Sequence, residues 1–158
     1  MNFTIRQIKE SEIFLLKDFL YHAIFQRDGS PLAPKSIIAK PELQIYIKDF
    51  GKHQDDFCLC AQVGEEVVGM AWVRNIEGYG NIDDTTPELA ISILPNYRNK
   101  GIGSKLLDVL LKNLKEKGYQ KTSLAVQKDN YALSMYKKAG YEIIGETQEE
   151  FIMVYKFV

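Results

Sequence analysis

The sequence predicts a mixed α/β or α+β fold in which a central sheet carries helices on its faces. Three observations lead to this prediction. Residues 103–117 contain five leucines at helical spacing, and Gly118 follows at the position where a helix commonly ends. Residues 57–63 and 67–73 are apolar runs joined by a short turn, which is typical of an antiparallel hairpin. Helical segments separate several other strands, which indicates that some neighbouring strands are parallel.

Length and composition are those of one ordinary globular domain over residues 3–158. The chain has 158 residues, and domains typically have about 100–200. Hydrophobic residues make up 46% and charged residues 26%, which excludes global disorder, a collagen-like repeat and a coiled coil. The formal net charge is -1, so we expect no nucleic-acid partner bound through bulk positive charge.

The sequence predicts a cytoplasmic protein with reduced thiols. It contains no run of about 18 apolar residues that would span a membrane, and its first ten residues lack the apolar stretch of a signal peptide. The cysteines, Cys58 and Cys60, have a spacing that suits a disulfide poorly. No histidine lies at a metal-ligand spacing from them, so we expect reduced thiols and no metal site. Because no apolar run is long enough to span a membrane, we also expect no membrane partner.

The spacing of apolar residues and the positions of capping residues and prolines predict the first strand and the first two helices. Residues 3–8 alternate apolar and polar side chains, which predicts a strand. Ser11 is a suitable N-cap for a helix that extends to Ile24. Residues 41–50 carry apolar side chains at helical spacing, with a proline in the first turn. The predicted order of elements in the first third of the chain is therefore one strand and two helices, followed by the hairpin.

The second half of the chain continues the alternation. A strand over 89–94 ends at Pro95 and precedes the leucine-rich helix. The remaining predicted elements are a strand over 122–126, a helix over 131–139 and two strands over 141–145 and 151–157. The complete predicted order is β α α β β β α β α β β.

Residues 88–104 have the features of an anion-binding turn. A strand ends, a turn rich in Arg, Lys and Gly follows, and the strongest helix begins. The first N–H groups of a helix have no internal partners, and the helix dipole is positive there. Gly101 and Gly103 lack side chains, so a phosphate could approach the backbone, and Arg98 and Lys100 add positive charge. A pyrophosphate is the ligand that fits this turn.

Two common phosphate motifs are absent. The chain has no G-x-x-x-x-G-K-[ST] string, and a G-x-G-x-x-G fingerprint would need glycine where Leu106 stands. The two glycines alone also fit a plain strand-to-helix turn. From Arg98 to Lys121 there are seven basic and two acidic residues. A solvated helix face explains the later lysines, but it explains less well the cations at the helix start, where the dipole disfavours them.

Two segments resemble the GNAT superfamily of N-acetyltransferases. Residues 98–103 resemble its acyl-CoA pyrophosphate loop, [RQ]-x-x-G-x-[GA]. Asn130, Ala132, Tyr136 and the pair Gly140-Tyr141 resemble its N-x-A…Y-x-x-x-G-[FY] segment. The order of elements is similar over nearly the whole chain. The resemblance implies a GNAT fold, with a mixed, mostly antiparallel seven-stranded sheet and helices on both faces.

The resemblance also implies acetyl-CoA as co-substrate, and it assigns binding residues. The fourth and fifth strands would splay apart, and the acetyl group would react in that gap. Backbone groups of the fourth strand would pair with the pantetheine arm as an added strand does. The implied cofactor residues are Ile91, Ser92 and Ile93 for the arm, Arg98, Asn99, Lys100, Gly101, Ile102, Gly103 and Ser104 around the pyrophosphate, and Asn130 and Tyr136 nearer the thioester.

The implied chemistry is direct attack of an amine on the thioester in a ternary complex. A base or a water chain must take the amine's proton, and Glu88 at the start of the fourth strand is the candidate. A backbone N–H of that strand would hold the oxyanion. Tyr136 would protonate the leaving thiolate. Each residue also has a simpler explanation: Glu88 as a solvated side chain at a strand entrance, Tyr136 as a helix aromatic that only packs.

The loop before the fourth strand contains residues that could select the acceptor amine by its charge. Glu77, Asp83, Asp84 and Glu88 lie within it or just after it, and no Lys or Arg lies between the first and last of these. Four acids at the amine entrance would attract a cationic amine, although ordinary loop acidity explains them too. Tyr21, Tyr46, Trp72 and Tyr79 are candidates for the pocket wall, and core packing explains Tyr46 and Trp72 better.

Two other functions compete with the transferase. One is a catalytically silent acyl-CoA-binding sensor or partner module with the same fold. The other is a nucleic-acid-binding protein that uses the lysines of residues 98–121, which a steep salt dependence of affinity would reveal. Under the leading hypothesis the acceptor is a small-molecule amine or a protein amine. The acyl-chain preference stays open, and a homodimer is possible because GNAT proteins frequently form one.

Overall fold

The computed structural model describes residues 1–158 and contains seven strands and four α-helices. The strands are β1 (Thr4–Gln7), β2 (Phe57–Val63), β3 (Glu66–Arg74), β4 (Glu88–Ile93), β5 (Lys121–Gln127), β6 (Glu142–Glu146) and β7 (Glu150–Lys156). The α-helices are α1 (Leu16–Ala23), α2 (Pro41–Gln44), α3 (Ile102–Glu116) and α4 (Leu133–Ala139). Short 3-10 helices cover Glu10–Leu15, Lys35–Ala39 and Pro95–Tyr97. The predicted order of elements is confirmed.

One sheet contains all seven strands, in the order β1-β2-β3-β4-β5-β7-β6. Neighbours are antiparallel except β4 and β5, so the mixed, mostly antiparallel sheet is confirmed. The parallel pair is joined at a single register position, Glu88 opposite Ser123, whereas β5 and β7 pair along their whole lengths. The sheet therefore opens between β4 and β5 beyond Glu88.

Helices cover both faces of the sheet, as predicted. The leucines of α3 are buried against one face, together with side chains of α4. Helix α1 lies on the other face, where Leu16, Phe19 and Leu20 pack with Trp72. Burial of these apolar side chains on two sides stabilises the sheet. No helix combines the length and the apolar character needed to cross a membrane.

The first helix begins later than predicted, and Ser11 is not its cap. A 3-10 turn precedes the α-helix, and the backbone N–H of Lys9 donates to the Glu12 carboxylate at 2.7 Å. The same carboxylate accepts two hydrogen bonds from Arg6 of β1, each of 2.8 Å. The helix start is therefore held by an ion pair to the sheet rather than by a hydroxyl cap.

The second predicted helix, residues 41–50, ends as an α-helix at Gln44 and continues as turns. The carbonyls that would extend it accept other donors. Arg74 Nη1 donates to the Ile45 carbonyl at 2.9 Å, and Trp72 Nε1 donates to the Tyr46 carbonyl at 3.0 Å. Two β3 side chains thus replace helical N–H groups, and they fix Tyr46 beside the fourth strand.

Asp56→Asn is expected to destabilise the fold strongly. Asp56 pairs with Arg74 through two bonds of 2.9 and 3.0 Å, and both side chains are almost fully buried. Removing one partner leaves a buried guanidinium uncompensated, which costs about 3–5 kcal/mol. Thermal or denaturant unfolding measures the loss. Asp108→Asn, which breaks an exposed pair with Lys112, is the control and is expected to cost less than about 0.5 kcal/mol. Equal losses in the two variants would contradict the prediction.

Candidate active site

A cavity of about 700 Å³ lies between the end of α1, the turn before α3 and the start of α4. Most of the residues that the sequence assigned to the cofactor line it. These are Ile91, Ser92, Ile93, Arg98, Asn99, Gly101, Gly103, Ser104, Asn130 and Tyr136. Lys100 is exposed beside the cavity and does not line it. Ile102 is 1% exposed and belongs to the core under α3.

The turn before α3 presents backbone N–H groups to this first cavity. Asn99 and Gly101 have positive φ angles of 60° and 82°, and alternating left-handed residues of this kind turn successive N–H groups toward one concavity. A Cβ at Gly101 would meet nothing within 4 Å, and one at Gly103 would meet only Met135 Sδ at 3.5 Å and Ile93 Cγ1 at 3.6 Å. The space in front of the helix is open, so an anion can approach it.

Arg98 ties the turn to its neighbours. Its Nε donates to the Ile93 carbonyl at 3.0 Å, and its Nη2 lies 3.4 Å from the His22 carbonyl at the end of α1. The guanidinium therefore orients the turn against β4 and α1, besides adding positive charge at the rim. Burial and the nearby Arg98 charge both lower the pKa of His22.

The edge of β4 that faces β5 is open along the first cavity. The Leu94 N–H donates to the Val68 carbonyl at 2.8 Å, and because antiparallel bonding alternates, Ser92 bonds to β3 in the same phase. The backbone groups of Ile91 and Ile93 therefore point toward the gap, where β5 has diverged. The Ser92 hydroxyl donates to the Phe19 carbonyl at 2.6 Å, so its side chain is already engaged.

The gap between the two strands begins at a fixed point. Thr122 Oγ1 and the Ser123 N–H both donate to the Pro87 carbonyl, at 2.9 and 3.1 Å. Ser123 Oγ donates to the Gly80 carbonyl at 2.7 Å. A Cβ on Gly80 would lie 2.6 Å from the Leu124 carbonyl carbon, so only glycine fits there. These bonds hold the strands together at one end and leave the other end free to diverge.

A second cavity of about 440 Å³ adjoins the first at this gap. The second cavity contains Glu88, Tyr46 and Tyr79 and is bounded by β4, β5 and the residues before and within α2. The residues that line both cavities are Ala23, Ile24, Phe25, Ile91, Asn130 and Tyr136. The two cavities therefore meet at the diverging strands, beside the Tyr136 side chain.

Tyr136 lies at this junction. It is 9% exposed, and its ring packs edge-on against Tyr141 at a centroid distance of 5.8 Å. Burial raises the pKa of its hydroxyl above the ordinary value, so the group stays protonated near neutral pH. The hydroxyl has no hydrogen-bond partner in the protein and is left available to a bound molecule.

Asn130 shapes the turn that begins α4. Its Oδ1 accepts the Ala132 N–H at 2.8 Å, as a residue at a helix entry commonly does. Because the oxygen is used within the turn, the side-chain NH2 group is the part that remains for a ligand. Asn130 lines both cavities.

Glu88 is a buried carboxylate with one free oxygen. It is 2% exposed; one oxygen accepts from the Tyr46 hydroxyl, and Oε1 has no hydrogen-bond partner. The Tyr46 hydroxyl accepts the Tyr79 N–H at 3.0 Å, which directs its own proton to Glu88. Burial raises the pKa of Glu88 to about 7, although the Tyr46 hydrogen bond acts in the opposite direction. Glu88 can therefore exchange a proton near neutral pH.

The acids of the loop before β4 do not form the acidic wall that the sequence suggested. Asp83 pairs with Lys121 at 3.2 Å, and neither Glu77 nor Asp84 lines the second cavity. The acids that line it with Glu88 are Glu42, Glu149 and Glu150. Sequence reasoning missed these residues because α2 and the β6–β7 hairpin reach the site only through tertiary packing.

The comparison with known families agrees with this geometry. Residues 21–141 match the model of the Acetyltransferase (GNAT) family, which is most of the chain and includes the anion-binding turn, Glu88 and Tyr136. The chain belongs to the GNAT acetyltransferase family and is an acyltransferase.

Several named proteins and solved structures are similar to the chain. Acetyltransferase SG1711 of Sodalis glossinidius is 36% identical over 104 residues, which cover 65% of this chain and 68% of that protein. The [ribosomal protein bS18]-alanine N-acetyltransferase of Haemophilus influenzae is 34% identical over 83 residues, 49% of this chain and 57% of that protein. The PaiA N-acetyltransferase of Thermoplasma acidophilum, solved with coenzyme A, has the same fold at 20% identity and a TM-score of 0.71, covering 99% of each chain.

Proposed function

We propose that the protein, as one N-acetyltransferase domain over residues 3–158, transfers the acetyl group of acetyl-CoA to a primary amine by direct attack in a ternary complex. The observation that carries the proposal is the junction of two cavities at the diverging strands. The first cavity offers an anion-binding turn and an open strand edge. The second offers a buried carboxylate, and Tyr136 lies where the two meet.

The residues of the first cavity fit a CoA ester. The N–H groups before α3 suit the pyrophosphate, and the space in front of Gly101 and Gly103 is open. The backbone of Ile91 and Ile93 suits the amides of a pantetheine arm, which would bond to the open edge of β4. Bound in this way, acetyl-CoA supplies a thioester that a neutral amine can attack, so no serine or cysteine nucleophile is required.

The chain's own residues then move two protons. Glu88, with one free oxygen and a pKa of about 7, accepts the proton of the attacking amine. Tyr136 holds a proton that its hydroxyl can donate to the departing sulfur. A backbone N–H on the open edge of β4 can stabilise negative charge on the carbonyl oxygen. The free, buried Cys58 and Cys60 agree with the proposal of a cytoplasmic protein.

Acetyl-CoA is expected to raise the melting temperature, whereas ATP and NAD are not. A ligand at about 100 times its Kd stabilises a protein by about 2.7 kcal/mol, roughly 5–11 °C for a chain of this size. Gly103→Asp is expected to abolish most of this rise, because its carboxylate would repel the pyrophosphate. The free protein is expected to stay about as stable, because an acid in the first turn of a helix is favourable and a Cβ at this position meets no protein atom closer than 3.5 Å.

Lys112→Ala, on the exposed face of the same helix, is the control and is expected to keep the full rise. The absence of any rise with millimolar acetyl-CoA would refute the cofactor assignment. A full rise in Gly103→Asp would show that the ligand lies elsewhere. Release of the CoA thiol with amines then distinguishes a transferase from a module that only binds the cofactor.

A further inference from the structure

The second cavity combines an apolar body with an excess of carboxylates. Its walls are mostly hydrophobic side chains, among them Leu20, Phe25 and Val126. Four carboxylates line it, Glu42, Glu88, Glu149 and Glu150, against one basic residue, Lys40. A pocket of this kind suits a ligand with an aliphatic chain and more than one positive charge.

None of these four carboxylates has an ion-pair partner within 4.0 Å, whereas Asp83, Glu12 and Glu146 each pair with a Lys or Arg. Glu88 differs from the three exposed or half-buried carboxylates because it is 2% exposed and its Oε1 accepts no hydrogen bond of standard geometry, although the backbone N–H of Gly80 lies near enough to lower its pKa. A buried, unpartnered carboxylate oxygen that lines a cavity is a costly arrangement in the free protein. A ligand that donates hydrogen bonds or carries positive charge satisfies it.

The strand register places Glu88 and Glu150 on the same face of the sheet. Glu88 lies opposite Ser123 in the parallel pair, and Glu150 lies opposite Gln127 on the other side of β5. Ser123 and Gln127 are four residues apart on one strand, so their side chains share a face and are separated by about 13 Å along it. The charge of Glu150 is among the influences that raise the pKa of Glu88, so the two carboxylates are close enough to interact across the second cavity.

Aromatic and acidic groups meet at the outer end of the second cavity. Tyr79 is 51% exposed, and burial together with the charges of Glu42 and Glu150 raises the pKa of its hydroxyl. The ring therefore lies near both carboxylates, and an aromatic face beside carboxylates favours an ammonium group. Gln127 and Asn130 are the only uncharged amide side chains in the lining, against four carboxylates, so charge dominates the polar character of the walls.

We propose that the acceptor is an aliphatic diamine or polyamine, with its reacting amine at Glu88 and a second, protonated amine among Glu42, Glu149 and Glu150. This inference rests on the proposed acetyl transfer. A monoamine of the same length uses only the inner carboxylate. An ω-amino acid of the same length places a carboxylate at the acidic end and is repelled.

Initial rates of CoA-thiol release test the proposal with three acceptors of equal length, which are cadaverine, pentylamine and aminovalerate, at saturating acetyl-CoA. The expected order of kcat/KM is cadaverine, then pentylamine, then aminovalerate, with about tenfold between the first two. In the variant Glu149→Gln/Glu150→Gln the ratio of cadaverine to pentylamine is expected to fall well below the wild-type value, because only Glu42 remains of the three outer carboxylates. The control variant, Glu65→Gln/Glu116→Gln, removes two exposed charges that form no ion pair and lie outside the cavity, and it is expected to keep the wild-type ratio.

Equal kcat/KM for cadaverine and pentylamine in the wild type would overturn the proposal, and so would a ratio that survives in Glu149→Gln/Glu150→Gln. Acetylation of an alanine-initiated peptide in preference to all three amines would overturn it too, yet it would leave the acetyltransferase function intact. If acetyl-CoA neither raises the melting temperature nor releases its thiol with any acceptor, the proposed function fails as well, so the two failures are distinguishable.

Discussion

Tyr136→Phe is expected to lower kcat by about 10²–10³-fold, because a positioned general acid contributes on that scale. The substitution removes only the hydroxyl, which has no protein partner, and leaves the ring in its packing against Tyr141. The KM for acetyl-CoA and the thermal shift that it causes are therefore expected to stay near the wild-type values. Steady-state rates of CoA-thiol release at saturating concentrations of both substrates measure the effect.

Tyr141→Phe provides the matched control for this experiment. Tyr141 is also a buried tyrosine, 3% exposed, and its ring contacts that of Tyr136, but it lines neither cavity. Loss of its hydroxyl is expected to leave kcat within about threefold of wild type. A similar small change in Tyr136→Phe would show that Tyr136 only packs, which is the simpler explanation that the sequence left open.

Glu88→Gln is expected to lower kcat/KM for the acceptor by about 10²-fold or more above neutral pH. Because burial raises the pKa of Glu88 to about 7, the carboxylate form accumulates only as the pH rises through that value. The ratio of wild-type to variant kcat/KM is therefore expected to rise about tenfold per pH unit below about 7 and to level off above it. A ratio independent of pH would contradict the role of Glu88 as base and favour a water chain.

The ionisation of Glu88 also affects stability. As the pH rises, the proposed activity increases, whereas the contribution of this group to the free energy of unfolding decreases. The folded protein binds a proton at Glu88 more tightly than the unfolded chain does, so this group's contribution is fully present below its ordinary pKa of 4.5 and is lost as the pH rises through about 7. The total is on the order of 3 kcal/mol, since one pKa unit corresponds to about 1.4 kcal/mol. In Glu88→Gln the decline in the free energy of unfolding over this pH range is expected to be smaller by that amount.

The sequence predicted the elements of the sheet well because their signals are local. The leucine stripe of α3, the punctuation at Pro95 and Gly118 and the β2–β3 hairpin lie within the segments that they define. The second helix had an equally regular pattern, and its last six residues are nevertheless turns. The difference arises because the side chains of Arg74 and Trp72 donate hydrogen bonds to the carbonyls of Ile45 and Tyr46. These donors lie more than twenty residues further along the chain, so no local sequence pattern indicates that they replace the helical N–H groups.

The residues of the candidate site show the same difference between local and long-range signals. The turn before α3, Glu88 and Tyr136 lie in or beside contiguous motifs, so a resemblance of sequence was enough to single them out. Tyr46 and the outer carboxylates lie on segments that come together only when the chain folds. The sequence favoured a core-packing role for Tyr46, and the side chain is indeed buried. Its hydroxyl nevertheless donates a hydrogen bond to Glu88, which lies 42 residues away along the chain. Side chains that act through long-range contacts have no signature in a single sequence.

The single residue pair between β4 and β5 divides the sheet into two half-sheets that are joined at one register position. One half contains β1 to β4 and the other contains β5, β7 and β6, and Glu88 opposite Ser123 is the register position that joins them. Strands of both halves bound the second cavity, whereas β4 is the one strand that lines the first. Because β4 borders both cavities, a displacement of β4 relative to β5 would change the second cavity and the strand edge offered to the first at the same time, and so couple the fit of the two substrates. The proposed reaction centre lies at this position, because Glu88, the proposed proton acceptor, is also the residue that joins the two halves.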